Sequence, residues 1–361
     1  MEFGLSSDQS LFAESLRGYL GEHFPMTKVR SVMESAEGRD PELASGLAGQ
    51  GVAGLLIAEE FGGSGLGLVE AAVAAEELGR AAATWSFHTA SVMAPLALAL
   101  AGSQQQKQDW LPALATARSH LSFAAGDLTL RHDRLTGSLP IVADAAYAEA
   151  FIVAAACDGA TSLLLVPRQT AGLTADALAT IDQTRRVGSL TFDGVEVDES
   201  MRLVAGHGTE FGQRIVDAGR IVLAADMLGA AQRVLELAVE YTMTRRQFGR
   251  PVGSFQSVKH MCAETVAEVE PLRSLLWYAA LAWQERLEDA SVVASLLKAH
   301  AAEVATRAVT TATQVFGGMG FTWECDVHIW FKRVGYDRQM FGGPAVCRQH
   351  AASLQFGAPA A

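Results

Sequence analysis

Basic charge is scarce in this 361-residue sequence: 28 Lys and Arg stand against 40 Asp and Glu, a formal net charge of −12. A nucleic-acid partner needs a concentrated basic face, so that class is excluded, although a small anionic ester could dock on a few local arginines. Cysteine is scarcer still. Cys157, Cys262, Cys325 and Cys347 lie far apart with no Cys-x-x-Cys pair, which excludes a disulfide framework and a zinc site and leaves them as small buried or partly buried hydrophobes. No metal is expected. Long apolar runs are missing too: the longest, at 90–101, is interrupted by Pro95 and falls short of the roughly 20 residues that span a membrane. The first residues lack a basic segment followed by an apolar one, so no secretory signal is read and a cytoplasmic location is expected.

Apolar residues are plentiful, 50% of the chain, enough to bury a substantial core in two or three domains. Three textures follow one another. Residues 1–118 read as a helical domain, with Ser7 or Asp8 placed to cap a first helix and Leu11, Ser15, Leu16, Tyr19 and Leu20 at helical spacing. Residues 119–208 read as a small β-domain. There the apolar runs 151–157 and 161–167 flank the turn dipeptide Asp158-Gly159, which predicts a hairpin, and 187–197 alternates as a half-buried strand with a turn or bulge at Asp193-Gly194. Residues 209–361 return to helix. Leu223, Met227, Ala231, Val234, Ala238 and Tyr241 form one apolar seam, and Leu297, Ala301, Val304, Ala308, Thr311 and Val315 another. The second seam stops at Gly317-Gly318, where a helix end needs a left-handed residue. Pro271 is expected to kink or divide a helical stretch at 256–285.

Two segments of the last region carry chemistry. Arg245-Arg246-Gln247-Phe248-Gly249 ends one predicted helix, and Gln314-Val315-Phe316-Gly317-Gly318-Met319-Gly320-Phe321 ends another. A permanently charged guanidinium, amide side chains and glycine backbone without side chains are what an anionic diphosphate needs. The same residues also suit a helix-end cation facing the dipole and a plain helix stop, and this alternative stays open. The loop Glu59-Glu60-Phe61-Gly62-Gly63-Ser64-Gly65-Leu66-Gly67 is not a dinucleotide fingerprint, because its glycines do not fit G-x-G-x-x-G and no βαβ unit surrounds them.

With these motifs in this order, the chain resembles the acyl-CoA dehydrogenase family over essentially its whole length. The loop at 58–67 matches the family's P-E-E-x-G-G-x-G, with Ala58 in place of proline, and Glu76-Glu77-Leu78-Gly79-Arg80 matches the end of the next helix. R-x-x-F-G and Q-x-x-G-G-x-G follow in family order. The resemblance implies a mainly α fold: a helical domain, a small middle β-barrel or sandwich and a C-terminal four-helix bundle. It also implies an FAD cofactor, with Arg245, Gln247, Phe248, Gln314, Gly317 and Gly318 reaching the ADP portion of an FAD seated mainly on a neighbouring subunit. Asp217 and Arg220 match a family acid–arginine pair that serves nucleotide binding or helix packing.

The departures from the family matter as much. Where it presents Thr-Glu-Pro-x-x-G-S-D and Trp-Ile-Thr to the flavin ring, this chain has Phe123-Ala124-Ala125-Gly126-Asp127 and a Gly137 to Asp144 strand, so Ala124, Ala125 and Ala143 replace hydroxyls and a tryptophan. Such a lining makes a poor hydride acceptor. The two places that supply the family's catalytic glutamate hold Gly219 and Phe341, neither of which takes a proton, and no catalytic residue is assigned. Glu324, Asp326 and Asp337 are the nearby acids. The reading that accounts for both retained and lost motifs is a subunit of a hetero-oligomeric, α2β2-type acyl-CoA dehydrogenase, similar to the two-gene enzymes of actinobacterial steroid and sterol side-chain catabolism. Its partner chain would supply the glutamate, an acyl-CoA would be the substrate and an electron-transfer protein the acceptor. The Thr-Trp-Glu-x-Asp-x-His-x-x-x-Lys-Arg run at 322–333 is similar to that subgroup. A self-sufficient flavoenzyme with a displaced base and a non-catalytic scaffold are the alternatives.

Overall fold

Ser6, rather than Ser7 or Asp8, caps the first helix. Its hydroxyl accepts from the Gln9 N–H at 3.2 Å, and the Gln9 side chain accepts from the Ser6 N–H at 2.9 Å, a reciprocal box that opens α1 (Ser7–His23). The computed structural model describes residues 4–203 and 208–357; residues 1–3, 204–207 and 358–361 lie outside it. α2 (Met26–Glu34), α3 (Pro41–Gly49), α4 (Leu68–Arg80), α5 (Ala94–Ala101) and α6 (Gln104–Ala115) follow. A π-turn at His88–Met93 leads into α5, where the Ala94 N–H reaches back five residues to Thr89 O.

Six strands form one sheet in the order β4-β3-β1-β2-β6-β5: β1 (Leu121–Arg131), β2 (Arg134–Ala143), β3 (Ala150–Cys157), β4 (Ala160–Pro167), β5 (Leu173–Leu178) and β6 (Val187–Glu196). The expected hairpin is β3–β4, paired from Ala150↔Pro167 to Cys157↔Ala160. Asp158 and Gly159 both take positive φ, as a two-residue turn between right-twisted strands requires. Asp193-Gly194 forms the bulge, since the β2–β6 register shifts between Leu135↔Val195 and Gly137↔Phe192. Leu128, Phe151, Val153, Leu164, Leu190 and Phe192 fill the core of this layer.

Among the described residues, five helices make the C-terminal region: α7 (Gly208–Thr244), α8 (Gln256–Gln284), α9 (Ala290–Phe316), α10 (Val327–Gln339) and α11 (Pro344–Phe356). Both seams face inward; from Leu223 to Ala238 and from Leu297 to Ala308 every member is buried. Pro271 does not divide α8, which runs through it. The buried Val269, Leu272 and Leu276 on the same helix hold the stretch in place across the one backbone bond that proline removes.

By compactness the chain forms two units that cut across the three sequence textures: Met1–Ser31, Ala72–Ala83 and Arg220–Ala361, and separately Val32–Ala71 and Thr84–Gly219. The first unit joins α1 and α4 to the helical bundle through close backbone approach and buried charge. A Cβ on Gly79 would lie 2.1 Å from Asp226 O, and one on Gly229 1.9 Å from Glu76 O, so α4 and α7 cross where neither tolerates a side chain. Arg333 clamps the crossing, with Nε 2.7 Å from Asp226 Oδ1, Nη2 2.6 Å from Oδ2 and Nη1 2.9 Å from Ala83 O. In the second unit, Arg186 donates to Ser35 O at 2.8 Å and the buried Arg185 donates to Trp85 O at 2.7 Å.

Candidate functional site

Tyr241, one turn before the end of α7, stacks on Phe316, the last residue of α9, with ring centroids 4.3 Å apart and 20° between planes. This contact brings Arg245-to-Gly249 and Gln314-to-Phe321 to the same end of one unit. Beyond α7 the chain folds into a small hairpin of β7 (Arg246–Gln247) and β8 (Arg250–Pro251). Phe248 (φ +51°) and Gly249 (φ +78°) form its two-residue turn, so glycine suits the second position, while Phe248 adopts an unfavourable backbone to hold its ring outward, 91% exposed. Arg245, Gln247 and Gln314 are exposed as well. The Arg250 guanidinium lies 4.0 Å over the Phe255 ring, and Phe255 meets Phe248 edge-on at 6.1 Å.

Gly317 has φ +65°, and a Cβ on either Gly317 or Gly318 would meet nothing within 4 Å. These glycines therefore do not relieve crowding inside the protein. They leave peptide groups uncovered, which with the exposed Arg245 fits an anionic diphosphate. Met319 and Phe321 are exposed beside them, the latter by 78%. The diphosphate end of the implied dinucleotide thus meets a suitable surface.

The two base positions are closed in different ways. Gly219 is buried on α7, and a Cβ there would lie 2.5 Å from Met93 Sδ and 2.8 Å from its Cε. Met93 ends the π-turn and is fully buried, so a methionine occupies the volume that a residue-219 side chain would need. Phe341 sits at φ +53°, and its carbonyl accepts from Arg220 Nε at 3.1 Å. Lys298 donates to Arg338 O at 3.1 Å and to Gly342 O at 3.3 Å, and Cys347 Sγ donates to Gly342 O at 3.2 Å. Burial pushes the Lys298 ammonium down to about 8. Arg220 Nη1 donates to Ser295 Oγ at 3.0 Å and to His350 Nδ1 at 3.3 Å, and burial with the neighbouring guanidinium holds that imidazole below its usual range. Arg220 thus anchors the 341–343 loop, a packing role.

Of the three remaining acids, Glu324 is exposed on the surface, held low by its own backbone N–H and the Thr322 hydroxyl. Asp326 pairs with Arg30 at 2.7 Å, and Asp337 is wholly buried. Several side chains of the 322–333 run pack within the protein. Trp323 stacks on His328 at 4.8 Å with Lys332 Nζ 4.7 Å from its ring, and Trp330 donates to Gly79 O at 3.0 Å.

In the β-layer, Ala124 and Ala143 are buried, and the hydroxyls nearby come from residues the sequence did not single out. Thr89 Oγ1 accepts from the Phe123 N–H at 2.6 Å, and Ser122 donates to Ala143 O at 2.7 Å. Thr89 and Met93 escaped notice because a π-turn shifts helical register without a distinctive composition. Asp217, buried, accepts from Gln213 at 2.8 Å. Among the described residues no acidic, histidine or cysteine cluster suits a metal, no cysteine is in a disulfide, and no helix is long and apolar enough to cross a membrane.

Family models for the acyl-CoA dehydrogenase N-terminal domain and C-terminal domain match residues 6–118 and 206–353. Acyl-CoA dehydrogenase IpdE2 of Mycolicibacterium smegmatis is 31% identical over 343 residues, covering 94% of this chain and 96% of that protein. Among solved structures, the ChsE4-ChsE5 complex from Mycobacterium tuberculosis matches with a TM-score of 0.91 at 27% identity over 100% of both chains. A Tcur3481-Tcur3483 steroid ACAD variant matches with a TM-score of 0.89 at 28% identity over 96% of this chain and 97% of that one. With two family models, a relative spanning nearly its full length and the same succession of helical, sheet and bundle regions, this chain belongs to the acyl-CoA dehydrogenase family, oxidoreductases that act on the CH–CH bond of acyl-CoA thioesters.

Proposed function

We propose that this chain is the base-lacking subunit of a hetero-oligomeric, FAD-dependent acyl-CoA dehydrogenase that desaturates a steroid or sterol side-chain thioester. The observation that carries this reading is the contrast between an open diphosphate surface at Arg245 and Gln314 and a base position at Gly219 packed shut by Met93. Arg245, Gln247, Phe248, Gln314, Gly317 and Gly318 would hold the ADP portion of FAD, and the exposed Phe248, Met319 and Phe321 around it suit cover by a second subunit. When bound, FAD accepts the hydride that leaves the β-carbon. The α-proton goes to a carboxylate of the partner chain, since both of this chain's family positions lack one. The two-chain ChsE4-ChsE5 complex and the steroid ACAD support the assembly and the substrate class, and an electron-transfer protein is the fitting acceptor.

The test is flavin quantitation on this chain expressed alone and co-expressed with a longer family member that retains the glutamate. Flavin is expected in the co-purified complex and absent or substoichiometric in the single chain. Stoichiometric flavin with dehydrogenase activity in the chain alone would overturn the assignment in favour of a self-sufficient enzyme.

A further inference from the structure

In the unit containing the β-sheet, a cavity of about 340 Å³ opens between the start of α3, the segment before the π-turn, the end of α6 and the ends of β1 and β2. It lies within the range of small-molecule sites. None of its lining residues belongs to the diphosphate surface or the base positions. Two of its lining carboxylates are buried, Asp40 and Asp144, and both are engaged: Asp40 caps α3, its Oδ1 accepting from the Glu42 N–H at 2.9 Å. Asp144 Oδ2 lies 2.8 Å from His120 Nε2, Oδ1 accepts from the Tyr147 hydroxyl, and Ser86 donates to the same group, which together keep it ionised despite burial.

The cations of the cavity are not so engaged. Arg39 is half-buried, and its guanidinium rests 4.2 Å over the Tyr147 ring, with no carboxylate or carbonyl partner among the described residues. Arg118 spends only its Nε, on the Thr116 hydroxyl at 2.9 Å. Among the wall atoms buried without a hydrogen-bond partner are Thr84 Oγ1 and His120 Nδ1, in side chains at least nine-tenths buried. Leaving such atoms unsatisfied is costly unless something else meets them. Trp85 and Tyr147 supply flat apolar wall, each meeting the His120 ring edge-on at 5.5 and 5.4 Å.

We propose that this cavity binds a small organic anion, a carboxylate or phosphate on a flat apolar body, with Arg39 and Arg118 taking the charge and Trp85 and Tyr147 the ring. Guanidinium forks match both anions bidentately, while the aromatic walls favour a ring over a bare ion. The site is independent of the flavin assignment, so either can fail without the other.

The experiment uses the full-length chain and four probes: benzoate, phenyl phosphate, benzyl alcohol and inorganic phosphate. Calorimetry and the thermal midpoint are the readouts, repeated on Arg39→Gln and Arg118→Gln. Benzoate, phenyl phosphate or both are expected to bind and raise the midpoint, and which of them does so identifies the anion. The neutral alcohol and bare phosphate should bind at least tenfold more weakly. Each glutamine variant should weaken the aryl anion by roughly ten- to a hundredfold. Arg118 is exposed, so that variant keeps the fold and the test stands even if Arg39→Gln does not. Absence of aryl-anion binding at millimolar concentration, binding unchanged in Arg118→Gln, or bare phosphate binding as tightly as the aryl anions would each overturn the proposal.

Discussion

Met93 fills the space that a side chain at Gly219 would occupy, its Sδ only 2.5 Å from where a Cβ there would stand. Both residues are buried, so the methionine has little room to withdraw. Replacing Gly219 by Ala gains about 1 kcal/mol of helix propensity but overpacks the site by about 1–3 kcal/mol. The expected result in urea unfolding is a net loss of about 1 kcal/mol that turns into a gain when the substitution is made in a Met93→Ala background. Additive effects of the two changes would show that they do not share one volume.

Arg245 is exposed and makes no side-chain bond that the fold depends on among the described residues, so Arg245→Ala should leave the melting curve unchanged. In the assembled complex the same change should weaken flavin retention by about ten- to a hundredfold, the loss of one charge-assisted contact worth roughly 1.5–3 kcal/mol. Flavin fluorescence released on dilution measures it. Unaltered retention would leave Arg245 as a helix-end cation only.

Amide substitution of Glu324, Asp326 or Asp337 should not slow the chemical step. Losing a true general base costs on the order of 10²–10⁴-fold, whereas Glu324 is exposed and Asp326 is committed to Arg30. Single-turnover flavin bleaching by an acyl-CoA, at matched flavin content, makes the comparison. A hundredfold slowing in any one variant would place the base in this chain.

Lys298 predicts a pH dependence. Its folded value of about 8 lies below the ordinary 10.5, so below pH 8 both folded and unfolded chains carry the proton and the folded state bears the full burial cost. Between pH 8 and 10.5 the unfolded chain keeps a proton that the folded chain has released, and stability relative to Lys298→Met should rise by roughly 2–3 kcal/mol. Denaturant midpoints at pH 7 and 10 read the change. A difference that stays flat or falls would mean that the ammonium is better solvated than its two carbonyl contacts suggest.

Asp226 and Arg333 form a bidentate pair with both groups buried. Asp226→Ala should cost about 3–5 kcal/mol because it strands a buried guanidinium, and a change below 1 kcal/mol would show that water reaches Arg333.

Local chemistry was legible in the sequence. Asp158-Gly159 specified a hairpin because both turn residues must take positive φ, Gly317 marked a helix end for the same reason, and the two seams followed from helical period. The order of fingerprints identified the family before any coordinate. Small errors fell where one residue competes with its neighbour, as at the Ser6 cap, or where packing overrides propensity, as at Pro271 inside α8. What only the tertiary structure decided were relationships across long stretches of chain. The stacking of Tyr241 on Phe316 sets two distant motifs side by side, the π-turn puts Met93 against Gly219, and the 322–333 run serves packing between α10, α7 and α4. No sequence period encodes these, because each depends on which faces meet when helices far apart in sequence are pressed into one core.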